Sequence, residues 1–357
     1  MQVYTKFITF VFLKSFFKIF AVMLSIVLIL NLLSELDFFR DIKVDITFPL
    51  FLSLLNSFPL IFEMFPFIFL LATQIFFINF FKNNEINIFK YSGLKNLNII
   101  KILSLISFIM GILIIVIFYN ISSNFKNFYL ELKSKYTSDD KYLAVITNNG
   151  LWIKDKVNDK ILIINSSKIE PGFLINSILS EFDKNFQIIR SIQSDRIDIT
   201  DNEWIIYDAN VFINNNITKN DRLIINSNFN YERIQSLFSN LSSLSFLELF
   251  ELKKNYKLLG YSTIELNVHI QKLISYPFYL FLMTILSAII MFNSKKLKNT
   301  SIKISIGLFS SVIIYYINNF FNVLGNTEKI SFLFSVWAPL LILGLISGLM
   351  LRKINEK

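Results

Sequence analysis

The sequence predicts a membrane protein of six transmembrane helices in a 3 + 3 arrangement, with an all-β domain inserted between the two halves. Three observations predict it. Six apolar runs, Lys18–Glu35, Phe48–Phe81, Leu97–Ile121, Val268–Phe292, Ile302–Leu324 and Phe332–Leu351, are each long enough to cross a hydrocarbon core, which takes about 20 helical residues. In lipid each run must satisfy its own backbone hydrogen bonds, so each is read as a helix. The stretch between the third and fourth runs, Ser122–Leu266, is polar and carries 17 Lys/Arg against 18 Asp/Glu. It is a unit made for water. Finally, the excess basic charge of the chain, formally +9, sits beside the apolar runs and not in that stretch.

Over half of the residues are hydrophobic (54%) and the mean hydropathy is +0.53, which puts the chain in the membrane class before any motif is read. Lys6, Lys14 and Lys18 precede or open the first run. Lys82, Lys90, Lys95 and Lys101 surround the connection between the second and third, Lys295, Lys296, Lys298 and Lys303 the connection between the fourth and fifth, and Arg352, Lys353 and Lys357 follow the sixth. Basic residues flanking spans stay on the cytoplasmic side. All four clusters agree if both termini are inside, which requires an even number of spans, and the insert is then outside. Charge split among four membrane-flanking clusters forms no single basic face, so no nucleic-acid partner is expected.

The first run has the basic start of a signal peptide. It reaches Leu33 without a small-residue cleavage site and ends in Ser34, Glu35 and Asp37, so it is read as an uncleaved span. The second begins at Pro49 and contains Pro59 and Pro66, which predict a kink or tilt. Between the prolines lies Glu63. A carboxylate deep in the bilayer costs about 2.5–3.5 kcal/mol on insertion scales, so Glu63 is placed near the outer interface, where water reaches it.

The insert opens with a helical run, Phe125–Lys135, continuing the third span outward. Short strands are predicted at Tyr142–Thr147, Gly150–Ile153, Lys160–Ser166, Phe186–Gln193, Arg196–Thr200 and Glu203–Phe212, separated by turn residues such as Asn158–Asp159 and Thr200–Asp201–Asn202. Repeated short strands without long intervening helices suggest a sandwich or open barrel. From Tyr231 to Tyr261 the period turns helical, with Leu237, Leu241, Leu244, Leu247 and Phe250 spaced by three and four. The expected domains are thus residues 1–121, 122–266 and 267–357.

The composition narrows the chemistry. There is no cysteine, so a disulfide framework, a zinc–thiolate site and a cysteine nucleophile are excluded, and the single histidine, His269, is too little for a metal cluster or a triad. His269 is read as an interfacial side chain. Gly93-Leu94-Lys95 lacks the glycine and Ser/Thr of a phosphate loop, there is no G-x-S-x-G elbow, and nine glycines provide no cofactor cradle. Neither a cofactor nor an enzymatic activity of its own is expected. The connection Glu85-Ile86-Asn87-Ile88-Phe89-Lys90-Tyr91-Ser92-Gly93 is amphipathic, with Ile86 and Phe89 on one side at helical spacing and a glycine stop. By itself it fits either a helix lying on the membrane or a docking helix for a cytoplasmic partner.

The chain resembles the lipopolysaccharide-export permeases LptF and LptG. Glu85 through Gly93 is similar to the family's E-x-x-x-x-x-A-S-G segment, with Tyr91 in place of the usual alanine. Asn149-Gly150-Leu151-Trp152-Ile153-Lys154-Asp155 is similar to Q-G-L-W-x-K-D, typical of the LptG member. Lys272 through Pro277, Gly307, Gly325, Pro339 and the closing Leu351-Arg352-Lys353 also match. The resemblance implies an ABC-transporter permease subunit, most like LptG, that extracts lipopolysaccharide from the inner membrane. It implies a heterodimer with an LptF-like paralogue on a dimer of an LptB-like ATPase. It also implies a periplasmic β-jellyroll that hands lipid to LptC- and LptA-like proteins. The loop at about 83–96 would be the coupling helix, with Glu85 as its polar contact and Ile88, Phe89, Tyr91, Ser92 and Gly93 at the ATPase groove.

A phosphorylated, multi-acyl lipid needs an apolar cavity with basic residues at the outer rim. Arg40 and Lys43 follow the first span on that side, and Lys272 lies near the outer start of the fourth. They are the candidate phosphate contacts, the alternative for each being snorkelling to lipid headgroups. Arg40 matches a basic family position, whereas Ser34 stands where relatives often have a lysine. Two rival readings stay open: the LptF-type subunit, and a membrane-anchored periplasmic scaffold or sensor without transport activity.

Overall fold

A computed structural model describes the chain except residues 1–2, 84, 92, 137–150, 158–159, 171, 214–215, 232–233, 235–239, 260–261, 294–298 and 356–357. Two compact units are present, Met1–Tyr129 with Ile264–Lys357, and Leu130–Thr263. The first is helical: α1 (Val3–Phe38), α2 (Thr47–Lys82), the short α3 (Glu85–Tyr91) and α4 (Asn96–Leu113). A π-turn at Ile114–Tyr119 then leads without a break into α5 (Asn120–Ser134). The second unit carries an antiparallel sheet and helix α6 (Phe246–Leu259). The chain returns to the first unit through α7 (Ile264–Asn293), α8 (Thr300–Asn326) and α9 (Phe332–Asn355).

Among the described residues, six helical segments are long and apolar enough to cross a membrane: α1, α2, the continuous run Asn96–Lys133, α7, α8 and α9. They bury themselves unequally. In α2 and α7, 61% and 67% of the most apolar window is covered, against 17% in α1 and 11% in α8. α2 and α7 are therefore the core of the helical unit, and most of α1 and α8 is left to lipid or partners. Phenylalanines fill the α1–α2 seam: Phe16 packs on Phe69 (centroids 5.0 Å apart) and Phe65, Phe12 on Phe69 and Phe76, and Phe76 on Phe80. Between helices in lipid, packing and hydrogen bonds replace the hydrophobic drive. Accordingly, Thr284 Oγ1 of α7 donates to Ser107 Oγ of α4 (2.7 Å), and Ser287 Oγ donates to the Leu70 carbonyl of α2 (2.7 Å). Gln74 Nε2 of α2 reaches the Lys303 carbonyl of α8 (2.9 Å), and Trp337 Nε1 of α9 reaches Gln271 Oε1 of α7 (3.0 Å).

Helix α2 runs on through Pro59 and Pro66. Proline has no N–H, so Pro66 leaves the carbonyl four residues earlier, that of Phe62, without its helical donor. The Tyr276 hydroxyl of α7 donates to it at 2.5 Å, and the Tyr276 and Phe62 rings stack 4.8 Å apart. Close approach of α4 to α7 depends on Gly111, where a Cβ would lie 2.8 Å from Pro277 Cα.

The second unit is an antiparallel sheet of β1 (Leu151–Val157), β2 (Lys160–Glu170), β3 (Phe173–Phe182), β4 (Ile188–Asp198), β5 (Glu203–Ile213) and β6 (Asn216–Asn226), each paired with its neighbours in sequence. Its buried face is apolar, with Ile153, Ile164, Leu179, Ile192, Ile197, Trp204 and Ile206. In a flat sheet β1 and β6 would stand about 24 Å apart, five strand spacings. Yet Asp155 of β1 accepts from the Ser227 hydroxyl, the Asn228 amide and Asn228 Nδ2 just beyond β6, each at 2.8 Å. The sheet is therefore rolled, its first strand brought against the chain that leaves its last. Asn176 and Asp208 help it bend. Each takes a left-handed φ (49° and 47°), which Asn and Asp tolerate better than most residues. Past Asp208 the buried set shifts from Trp204 and Ile206 to Ala209 and Val211. Across β2–β4, buried Glu181 is held by Lys160 Nζ (2.6 Å) and the Arg190 guanidinium. Burial pushes its carboxyl up, but these two cations outweigh it and hold the carboxyl below the usual glutamate range.

The 3 + 3 layout with an inserted all-β unit is as expected, and α5 continues the third span as read. The strands differ in detail. The predicted Tyr142–Thr147 strand and Gly150 lie outside the described residues. Phe186–Gln193 and Arg196–Thr200 are one strand, β4, and Phe186 instead sits in the preceding turn with φ 60°. β3 and β6 were not anticipated. The helix predicted over Tyr231–Tyr261 is interrupted: Asn240 caps a 3₁₀ turn at Leu241–Ser243, and α6 starts afresh. It starts with a capping box, in which Glu248 Oε2 accepts from the Ser245 amide (2.7 Å) and Ser245 Oγ from the Glu248 amide (3.4 Å).

Candidate functional site

Two groups of predicted residues occupy defined places in the helical unit. The first is built on α3. At the end of α2, Asn83 Nδ2 donates to Glu85 Oε1 (3.3 Å), which fixes the acid in the first turn of α3, where a negative charge suits the helix dipole. The helix is stopped by Gly93 at φ 81°, and the Leu94 amide donates back to the Phe89 carbonyl at 2.9 Å. This six-residue closure is the Schellman arrangement, whose left-handed residue favours glycine. Phe89 points into the chain, stacked on Phe80 (5.4 Å, 13° between planes) and set against Phe7 of α1 (6.0 Å). Ile88 and Tyr91 face outward, 61% and 90% exposed. Beside them runs an open apolar groove of about 540 Å³, walled by Tyr4 and Phe7 of α1 and by Glu85, Ile88, Phe89 and Leu94. An anchored aromatic beneath two exposed apolar side chains makes a rigid knob. Ser92 lies outside the described residues.

The second group is the basic set. Arg40 and Lys43 are both exposed in the connection between α1 and α2. Lys272 is half-buried on α7, one turn before Tyr276. Its acidic neighbours are Glu63 of α2 and Glu265 of its own helix. Glu63 in turn has Lys126 of α5 as well as Lys272 within electrostatic reach.

Lys126 was not singled out in the sequence, and neither was the polar ladder that holds it. Asn31 Nδ2 of α1 donates to the Ser53 carbonyl (2.8 Å), Asn56 Nδ2 of α2 to Asn31 Oδ1 (3.0 Å), and Lys126 Nζ to Asn56 Oδ1 (2.8 Å). Nearby, Tyr129 OH donates to Glu35 Oε1 (2.7 Å), and Lys126 Nζ lies 5.1 Å from the centre of the Tyr129 ring. Asn31, Glu35 and Asn56 are buried polar groups inside apolar runs, and that is the sequence signal that could have found them. His269 Nε2 lies 3.1 Å from Tyr119 OH. Among the described residues no cluster of His, Cys, Asp or Glu is arranged to hold a metal ion.

The model of a protein family, lipopolysaccharide export system permease LptF/LptG, matches residues 6–353, nearly the whole chain. No curated protein matches the sequence. With six helices able to span a bilayer among the described residues and this family match, the protein is a multi-pass inner-membrane protein and a transporter permease, a class that is not itself enzymatic. The chain belongs to the LptF/LptG family of lipopolysaccharide export permeases.

Proposed function

We propose that this chain is the LptG-type subunit of the exporter. It pairs with an LptF-like paralogue on an LptB-like ATPase dimer and passes lipopolysaccharide to LptC- and LptA-like periplasmic proteins. Both termini are cytoplasmic and the β unit is periplasmic, as the four basic clusters favour. ATP binding and hydrolysis occur in the partner. Their stroke enters through α3, narrows the lipid cavity between the two permeases and drives the cargo toward the rolled sheet. The observation that carries this reading is the α3 knob: Ile88 and Tyr91 exposed over a Phe89 anchor that ties them to α1 and α2. Such a contact transmits force because its base is rigid. Glu85, Ser92 and Gly93 complete the coupling segment, and Arg40, Lys43 and Lys272 contact lipid phosphates. Gly150-Leu151-Trp152 favours LptG over LptF. The domains remain residues 1–121, 122–266 and 267–357 in function.

The test is substitution in the coupling segment. Glu85→Ala and Ser92→Trp are expected to abolish co-purification of the ATPase and lipid export while the protein still reaches the membrane. Unchanged association would leave a scaffold or sensor as the better description. An active alkaline phosphatase fusion near Asn215 is expected, and an inactive one would overturn the orientation. Photo-crosslinkers at Arg40 and Lys272 are expected to label lipopolysaccharide, and failure at both would remove the phosphate-contact assignment.

A further inference from the structure

The π-turn at Ile114–Tyr119 interrupts an otherwise unbroken span. Each residue of an α-helix turns the chain by about 100°. Carried along the span at that rate, the buried positions before the turn (Leu103, Ser107, Gly111) and after it (Tyr119, Ser122, Ser123) fall on stripes about 100° apart. The difference is one residue, which the wide turn absorbs so that both stripes face the helical unit. The surplus sits where the neighbours are irregular too. Tyr119 OH lies 3.1 Å from His269 Nε2 of α7, and its ring is 5.2 Å from that of Phe62 on α2. The Phe118 ring packs on Phe65 (5.1 Å) and Phe58 (5.9 Å). Phe62 and Phe65 lie between Pro59 and Pro66, and Phe62 is bonded to Tyr276, the residue before Pro277. On either side of the turn the span is anchored by other contacts. Before it, Ser107 Oγ meets Thr284 Oγ1 (2.7 Å) and Gly111 abuts Pro277. After it, the Phe125 ring meets Phe58 (4.7 Å) and Lys126 Nζ meets Asn56 Oδ1 (2.8 Å).

We propose that this π-turn is a movable joint. It steps one turn toward α5, and the residues it passes, Phe118 and Tyr119, rotate by about 100° out of their contacts with α2 and α7. A surplus residue can sit in either turn, so the step keeps the register of the span, and the anchors on both sides, where they are. Wide turns of this kind are less well bonded than α-helix and collect at functional sites. Val116 and Ile117, 59% and 56% exposed, form the outer side of the turn, where no packing within the chain opposes the rotation. Release of Phe118 and Tyr119 would loosen the proline-interrupted stretch of α2 from the start of α7. The proposal rests on the lipid-export reading above and adds to it the place where a stroke arriving along α2 changes the contacts between spans.

The experiment removes the surplus residue. Deletion of Val116 turns the wide turn into plain α-helix and leaves both flanks in register. Deletion of Leu105, equally exposed (58%) but in the regular part of α4, rotates everything after it by about 100°. In the full transporter complex in nanodiscs, the Val116 deletion is expected to keep the wild-type unfolding temperature, ATPase association and ATP hydrolysis, while ATP-driven extraction of lipopolysaccharide falls several-fold. The Leu105 deletion is expected to lower the unfolding temperature sharply. Wild-type extraction by the Val116 deletion overturns the proposal, because the surplus residue then has no role. Destabilisation as large as that from the Leu105 deletion, or loss of the ATPase, overturns it as well, because the residue is then not surplus. Hydrogen exchange on the wild-type complex is the second measurement. Residues 114–123 are expected to exchange faster during ATP turnover than at rest, and residues 100–111 at the same rate in both. No acceleration at 114–123 overturns the joint. A wild-type complex that extracts no lipopolysaccharide overturns the export reading itself, and the exchange measurement then decides the joint alone.

Discussion

The Tyr276 hydroxyl donates to the Phe62 carbonyl at 2.5 Å, the carbonyl that Pro66 deprives of its helical partner. One side chain of α7 thus repairs a defect in α2. Replacing Tyr276 with Phe keeps the ring stack and leaves that carbonyl unpaired in an apolar setting, at a cost of about 1–3 kcal/mol. In a Pro66→Ala background the backbone amide restored at that position takes over the bond, so the same replacement should cost less. A double-mutant cycle on thermal unfolding in detergent checks this, and equal costs in both backgrounds would refute the repair.

A methyl group at Gly111 would meet the Pro277 backbone at 2.8 Å. Backbone cannot step aside as a flexible side chain can. Gly111→Ala is expected to lose about 1–3 kcal/mol through overpacking, and Gly111→Val more, read as a lowered unfolding temperature of the purified protein.

At Gly93 the left-handed turn has open space around it, so the cost of a side chain there is conformational. Gly93→Ala should cost about 1 kcal/mol and Gly93→Asn less. Since α3 has only two turns to lose, Gly93→Ala is expected to reduce ATPase co-purification more than Gly93→Asn does.

Glu181 gives the β unit a defined acid response. Its carboxyl titrates below the ordinary value of 4.5 in the folded chain. The stability it adds is therefore fully present above that value and is lost as pH falls below it toward the folded pKa. The unfolding temperature should decline in this window for wild type and less steeply for Glu181→Gln, which will itself be less stable at pH 7 because Lys160 and Arg190 lose their partner. Parallel curves would show that another group governs the decline.

Asp155 accepts three hydrogen bonds from the chain beyond β6. Asp155→Ala strands these donors and is expected to cost about 2–4 kcal/mol, since bonds to a charged group are worth roughly twice neutral ones. Limited proteolysis of the full-length protein should show faster cutting between Ser227 and Tyr231, while cutting within β2–β5 stays slow.

The helical half was legible because lipid demands long apolar runs, and six such runs cannot hide. The interior of that half was less so. Asn31, Glu35, Asn56 and Lys126 come from three helices, and nothing in sequence spacing says that they meet. In the β unit the period-2 pattern led to β2, β4 and β5 and failed at β3 and β6. In β3 the left-handed Asn176 shifts the buried positions from Leu174 to Ser177 and Leu179, which breaks the alternation. β6, Asn-Ile-Thr-Lys-Asn-Asp-Arg-Leu-Ile-Ile-Asn, is an edge strand with one buried residue, Ile225, and its charges are those that edges carry to deter pairing. The α3 knob was half legible: the amphipathic segment and its glycine stop were visible, whereas the inward turn of Phe89 depends on Phe80 and Phe7, far away in the chain.

The seam at Asp155 has a mechanical meaning. Strand ladders unzip one bond after another, but a clasp of side chains opens at a single place and leaves every ladder intact. The rolled sheet is thus a sleeve with a button: undoing one carboxylate frees the chain beyond β6 from β1 without disturbing the register of any hairpin.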